Sequence, residues 1–225
     1  MARTFDIITF DCYGTLIDWE SGIAEAFRRA AERDGVHIAR DEVMRAYATI
    51  EPIVEQERYR SYRGVLTETA ARIAHMHGWP LSYERAGFLA ASLPEWKPFD
   101  DTNRALERLA AAGHELGILT NCDDDLIAAT RKHFTVDFAL VVTAQQVRSY
   151  KPAAPHFVTA REKIGSSRWL HAAQSNFHDI IPANSLNIPN AWINRRRETP
   201  LPGGIPGREF ANVEGLADWL APAPA

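Results

Sequence analysis

The 225-residue sequence is poor in cysteine, in uninterrupted apolar runs and in excess charge of either sign, and each shortage removes a class of function. Only Cys12 and Cys122 are present. Two thiols so placed make neither a disulfide framework nor a metal-ligand pattern. No apolar stretch approaches the roughly 18 residues that a membrane-spanning helix requires. The formal net charge is −4, from 25 basic and 29 acidic residues, which leaves no broad positive field for nucleic acid or an anionic membrane. Nothing after Met1 reads as a secretory signal. The expectation is a cytoplasmic protein with a small-molecule substrate and neither a nucleic-acid nor a membrane partner.

What is present is a 46% hydrophobic composition, enough for one substantial core with a smaller insertion. The run Ile7-Ile8-Thr9-Phe10 ends on Asp11 and turns at once through Cys-Tyr-Gly-Thr. A short β-branched and aromatic run closed by a glycine turn predicts a buried strand, with the carboxylate at its carboxyl end, where open α/β sheets bind ligands. Helical spacing follows. Ser21 is expected to cap a helix carrying Ile23, Phe27 and Ala30 up to Gly35, Asp41 to open a second that Pro52 bends or divides, and Val65, Thr69, Ile73 and Met76 to lie on a third ending at Gly78. From Lys97 onward helices and strands alternate, with strands in HELGILT, FALVVTA, SRWLHAAQS and NAWIN. The predicted architecture is α/β, a doubly wound parallel sheet formed by residues 1–15 and 97–225, interrupted by a helical insertion over 16–96 that covers the sheet's carboxyl edge. Residues 200–207, PLPGGIPG, read as a loop, Val213–Leu220 as a closing helix, and the terminal Pro-Ala-Pro-Ala as a frayed end.

Four predicted strand ends carry polar residues: Asp11 and Thr15, then Thr120-Asn121, then SYKP with Lys151, then QSNFHD with Asn176 and Asp179. In a parallel sheet these loops converge on one crevice. A carboxylate, hydroxyl and amide donors, an ammonium and a second carboxylate would meet there, a set suited to nucleophilic catalysis by an aspartate. Lys151 would offset the repulsion between Asp11 and Asp179. Singly, Asp11 reads as a turn residue, Lys151 as a surface lysine and Thr120-Asn121 as the N-cap of the helix at DDD; their order together reverses that reading.

In that order, DCYGTL, LTN, SYKP and SNFHD resemble the motifs of the haloacid dehalogenase superfamily, and within it the type II 2-haloacid dehalogenase branch. The resemblance covers essentially the whole chain and implies a Rossmann-like core with a helical cap and an aspartate that attacks carbon. Phosphatases of the superfamily carry a second Asp two residues after the first, as general acid; here that residue is Tyr13, and a phenol with pKa near 10 is a poor acid for an alkoxide leaving group. Where those enzymes place a metal-binding Asp before Ser, neutral Gln174 precedes Ser175. Metal-free chemistry follows, with no cofactor: halide displaced from a small 2-haloacid through an aspartyl ester, giving a 2-hydroxy acid. Under this resemblance Asp11 is the nucleophile, Lys151 balances charge, Thr15 and Thr120 hold the Asp11 oxygens, and Asp179 with Asn176 positions the hydrolytic water. Asn121, Tyr13, Trp19 and Ser175 are substrate-binding candidates, as are Arg45 and Tyr47, either of which aligns with the family's cap arginine. Arg58, Arg60 and Arg63 stand in reserve for a substrate carboxylate. The family's tyrosine six positions after the lysine is Phe157 here. Competing readings are a magnesium-dependent phosphatase, a metal-free hydrolase of a non-halogenated acid, and a non-catalytic binding protein of the same fold. The cap and core surfaces are compatible with a homodimer.

Overall fold

A parallel sheet needs crossovers, and glycine turns and apolar runs supply them in the order the sequence suggests. The structure is a computed structural model that describes residues 4–222; of the terminal Pro-Ala-Pro-Ala only Pro222 lies among the described residues. The elements run β1 (Ile7–Phe10), α1 (Trp19–Arg33), α2 (Arg40–Gln56), α3 (Tyr62–Met76), α4 (Tyr83–Ala86), α5 (Phe88–Ser92), α6 (Thr102–Ala111), β2 (Glu115–Thr120) and α7 (Asp124–Thr130). They continue through β3 (Leu140–Thr143), α8 (Ala144–Val147), α9 (Pro155–Ile164), β4 (Trp169–Ala173), α10 (Ile181–Ser185), β5 (Asn190–Ile193), β6 (Arg208–Phe210) and α11 (Val213–Leu220).

The chain divides into two units. The α/β unit takes the residues through Asp18, Pro98–Asn121 and those from Lys132 onward. Its six strands are all parallel, in the order β3-β2-β1-β4-β5-β6, so the order reverses direction at β1, between β2 and β4. That is the topological switch point where ligands bind beyond the strand carboxyl ends. β1 is buried along its whole length, as a strand covered on both faces must be. One part of the core joins Ile7, Leu119, Val142, Phe157, Trp169 and Ile188.

The helical unit consists of Trp19–Lys97 together with Cys122–Arg131. The second segment was assigned to the α/β core from sequence. The Asp123 carboxylate accepts from the Tyr62 and Arg63 backbone N–H groups at 2.9 and 2.8 Å, satisfying the first turn of α3. Asp123 is also the N-cap residue of α7, so Thr120-Asn121 does not cap that helix. One further expectation is corrected: helix α1 starts at Trp19, which puts Ser21 inside its first turn. Of the two outcomes expected at Pro52, division does not occur, since α2 is continuous through it. Proline leaves the carbonyl four residues earlier without its helical donor; here that residue is Ala48, which is exposed to solvent. Strand β6 was not anticipated: three residues at a sheet edge carry too little alternation to register.

Gly22 lies where a Cβ would sit 2.4 Å from the Trp96 ring, whose indole N–H is fixed on Ser92 Oγ at 3.0 Å. Alanine gains about 1 kcal/mol of helix propensity, but overpacking at such a distance costs roughly 1–3 kcal/mol. Gly22→Ala is therefore expected to lower stability by up to about 2 kcal/mol in urea denaturation; a rise in midpoint would contradict this packing.

Candidate active site

The turn after β1 is built so that two side chains meet. Gly14 adopts φ 98°, a conformation that glycine takes without steric cost, and the Leu16 and Ile17 N–H groups both donate to the Cys12 carbonyl. This reversal brings Thr15 back onto Asp11: Thr15 Oγ1 donates to Asp11 Oδ2 at 2.8 Å and accepts from the Gln174 N–H at 2.8 Å. Arg195, beyond β5, donates to the Thr15 carbonyl from Nη2 at 2.8 Å, so the turn is fixed from both sides.

Lys151 completes the group. Its Nζ donates to Asp11 Oδ1 at 2.9 Å, Asp179 Oδ1 at 2.6 Å and the Leu119 carbonyl at 3.0 Å, which uses all three ammonium hydrogens. Lys151 is 2% exposed, Asp11 8% and Asp179 0%. Burial works against the Lys151 charge, but the two carboxylates overcome it and hold the ammonium well above the ordinary lysine range. Burial holds the Asp11 carboxyl above the ordinary aspartate range; Lys151 and Thr15 oppose that shift and Asp179 adds to it. Asp179 also resists burial, and Lys151 with His171 brings it down to about 2. The result is an aspartate with both oxygens held, beside a permanent cation, in a nearly dry setting.

The structure thus brings Asp11, Thr15, Lys151 and Asp179 together. Other candidates stand elsewhere. Thr120 Oγ1 is buried with no hydrogen-bond partner, so it does not hold an Asp11 oxygen. The Asn121 side chain exchanges two hydrogen bonds with the Lys151 backbone, at 2.7 and 3.1 Å, and so anchors the lysine's loop. The Asn176 amide is likewise spent, donating to the Gly204 carbonyl at 2.7 Å and accepting from the Leu201 N–H at 3.1 Å; it ties down the 200–207 loop. Ser175 Oγ accepts from the His178 N–H and pairs with His178 Nδ1, both at 3.0 Å, capping the single π-helical turn Asn176–Ile180. Tyr13 lies half-buried in the turn after Asp11. One residue escaped the sequence reading: His171, fully buried in β4, contacts Asp179 Oδ1 through Nε2 at 3.0 Å. Its signal was a polar residue inside the otherwise apolar run WLHAA, which hydropathy alone reads as core.

A model of the haloacid dehalogenase-like hydrolases matches residues 5–172. The chain belongs to that family. Among its relatives in this hydrolase family, the (S)-2-haloacid dehalogenase of Pseudomonas putida is 28% identical over 221 residues, covering 95% of each chain. An L-2-haloacid dehalogenase from Xanthobacter autotrophicus, with chloropropionic acid covalently bound, shares the fold at a TM-score of 0.79 and 17% identity, over 98% of this chain and 100% of that one. A magnesium-bound family hydrolase from Bacillus subtilis matches at a TM-score of 0.83 and 18% identity, over 97% and 99%. The fold is therefore common to a haloacid dehalogenase and a magnesium-bound hydrolase, and the donor set has to separate them.

That donor set fits magnesium poorly. Both Asp11 oxygens are already engaged by Lys151 and Thr15, the second acid is replaced by Tyr13, and the Gln174 amide donates to Glu198 at 3.4 Å. Among the described residues no group of three or more His, Cys, Asp or Glu side chains is placed to hold a metal ion. A hard cation that prefers several oxygen ligands finds an ammonium at the point where the carboxylates converge.

Within the helical unit, Arg45 is exposed on α2, while Tyr47 is buried with its ring 5.4 Å from Trp19 and its Oη 3.3 Å from Tyr62 Oη. Burial pushes both phenols up, and pushes the Glu51 carboxyl beside them up to about 7 against the hydrogen bonds from the two tyrosines. Arg60 and Arg63 are paired with Glu57 and Asp125, which leaves exposed Arg58 of the reserve set.

Replacing Lys151 by methionine would leave two carboxylates facing each other in a dry site. Their folded pKa values would then exceed the unfolded values, so the penalty grows as pH rises through them. Lys151→Met is expected to cost about 3–5 kcal/mol at pH 7 and clearly less near pH 4.5, read by urea denaturation. An equal loss at both pH values would contradict the charge assignment.

Proposed function

We propose that this hydrolase displaces halide from a small (S)-2-haloacid and releases a 2-hydroxy acid of inverted configuration. The observation that carries the proposal is the Asp11 carboxylate, held on one oxygen by a buried ammonium and on the other by a hydroxyl, with no second acid two residues on. An Asp11 oxygen forms a bond to the α-carbon while the carbon–halogen bond breaks and its electron pair leaves with the halide. A halide needs no proton, so the absence of an acid at Tyr13 costs this reaction nothing. Water then attacks the Asp11 carbonyl carbon, its proton passes to Asp179, and the departing alkoxide takes that proton as the ester bond breaks. Lys151 stabilises the negative charge gathered on the Asp11 oxygens as this second step proceeds. The (S) preference is carried over from the Pseudomonas putida relative. We place the protein in the cytoplasm, where the two buried cysteines remain thiols.

Halide should appear from (S)-2-chloropropionate in EDTA, and Asp11→Asn should abolish it. Under single turnover in ¹⁸O water the first product hydroxyl should carry unlabelled oxygen drawn from Asp11. Label passing straight into product would mean that water attacks carbon. Metal-dependent release of phosphate from an aryl phosphate, with no halide release, would instead establish the phosphatase reading.

A further inference from the structure

A chain of buried polar side chains runs behind the reacting group, and its hydrogens can be assigned by elimination. The parallel pairing of β1 with β4 sets Thr9 against His171, and Trp169, two residues before His171, shares its face of the sheet. The Trp169 indole N–H can only donate, and it points at Thr9 Oγ1 at 2.7 Å. Thr9 Oγ1 keeps its own hydrogen and a second lone pair and stands 2.8 Å from His171 Nδ1. At the other end the Asp179 carboxylate can only accept, so the neutral imidazole carries its proton on Nε2, directed at Asp179 Oδ1 at 3.0 Å, and Nδ1 accepts the Thr9 hydrogen. Phe157 seals the ring edge-on, with centroids 5.3 Å apart. Every member is buried.

The chain decides which Asp179 oxygen is available. Oδ1 takes both the Lys151 ammonium and the His171 N–H, whereas Oδ2 has no hydrogen-bond partner. We infer that His171, held in one tautomer between the Asp179 carboxylate and the Thr9 hydroxyl, is a positioning residue for ester hydrolysis: it pins Asp179 through Oδ1 and presents Oδ2 to receive the proton of the attacking water. This rests on the ester chemistry proposed above. It makes His171 a residue of the second half-reaction, because carbon attack by Asp11 requires no proton transfer to Asp179. Lys151 alone would leave that carboxylate free to rotate about its bond; a second donor on the same oxygen removes the freedom.

The test uses two variants and one spectroscopic measurement on the full chain. His171→Phe keeps the ring contact with Phe157 and removes the donor, and His171→Gln retains an N–H near the same place. With (S)-2-chloropropionate, His171→Phe should give a halide burst approaching one per protein and then slow about ten- to a hundred-fold, with the Asp11 ester accumulating in the intact mass spectrum. His171→Gln should recover much of the hydrolysis rate. Equal slowing of burst and steady state in His171→Phe, or no advantage of Gln over Phe, would overturn the inference. Independently of any substrate, ¹⁵N spectra of the unmodified protein should show His171 protonated at Nε2 and bare at Nδ1; the opposite tautomer or an imidazolium would overturn it even if the variants misfold. A wild-type protein that forms no ester from any 2-haloacid would instead overturn the dehalogenase reading, and the kinetic role of His171 with it, while the spectra still decide the tautomer.

Discussion

The buried ammonium of Lys151, wedged between Asp11 and Asp179, is the interaction on which the rest of the site depends. Three ions on residues each no more than 8% exposed lose most of their hydration, a cost of several kcal/mol per ion, and their mutual contacts at 2.6 and 2.9 Å, with the hydrogen bonds of Thr15, His171 and the Leu119 carbonyl, offset it. At an effective dielectric near 20 each such contact contributes about 6 kcal/mol of gross attraction. Much of the surrounding chain serves to hold this geometry. Asn121 fixes the lysine's backbone, Gly14 and Arg195 fix the turn that carries Thr15, and His171 shares the Asp179 oxygen that Lys151 uses. The two carboxylates and one ammonium leave a net charge of −1 on the group.

The same arrangement separates two chemistries that share the fold. Phosphoryl transfer in this family calls for a metal to gather oxygens and an acid to protonate the leaving alkoxide. Here the cation is an ammonium already bonded to both carboxylates, and the residue two positions after the nucleophile is Tyr13. Displacement at carbon asks for neither metal nor acid. In the helical unit, buried Tyr47 and Tyr62 form a polar cluster with partly buried Glu51 on α2 and α3, while Arg45 is exposed.

Much of the fold was legible because each strand that matters is a short apolar run ending abruptly in a polar turn. Asp11, Thr15, Lys151 and Asp179 could be picked out by that rule alone, since a parallel sheet must gather its strand ends. What the pattern could not supply was the partner of each amide. Asn121 and Asn176 are polar residues at the right edge, but their hydrogen bonds go to the Lys151 backbone and to the 200–207 loop, choices fixed by the course of the chain. His171 was hidden for the opposite reason: a residue satisfied on both ring nitrogens inside a strand looks, in one dimension, like core. Helix α7 belongs with the helical unit, where the Asp123 carboxylate caps α3 across 61 residues of sequence and Asp125 pairs with Arg63.

The central claim is that Lys151 keeps Asp11 an anion at neutral pH despite its burial. ¹³C NMR of the side-chain carboxyl carbons in aspartate-labelled wild-type protein measures this directly. The account predicts that Asp11 and Asp179 both carry carboxylate shifts at pH 7, with Asp11 protonating first as the solution is acidified. A protonated Asp11 at pH 7 in the resting protein would contradict it.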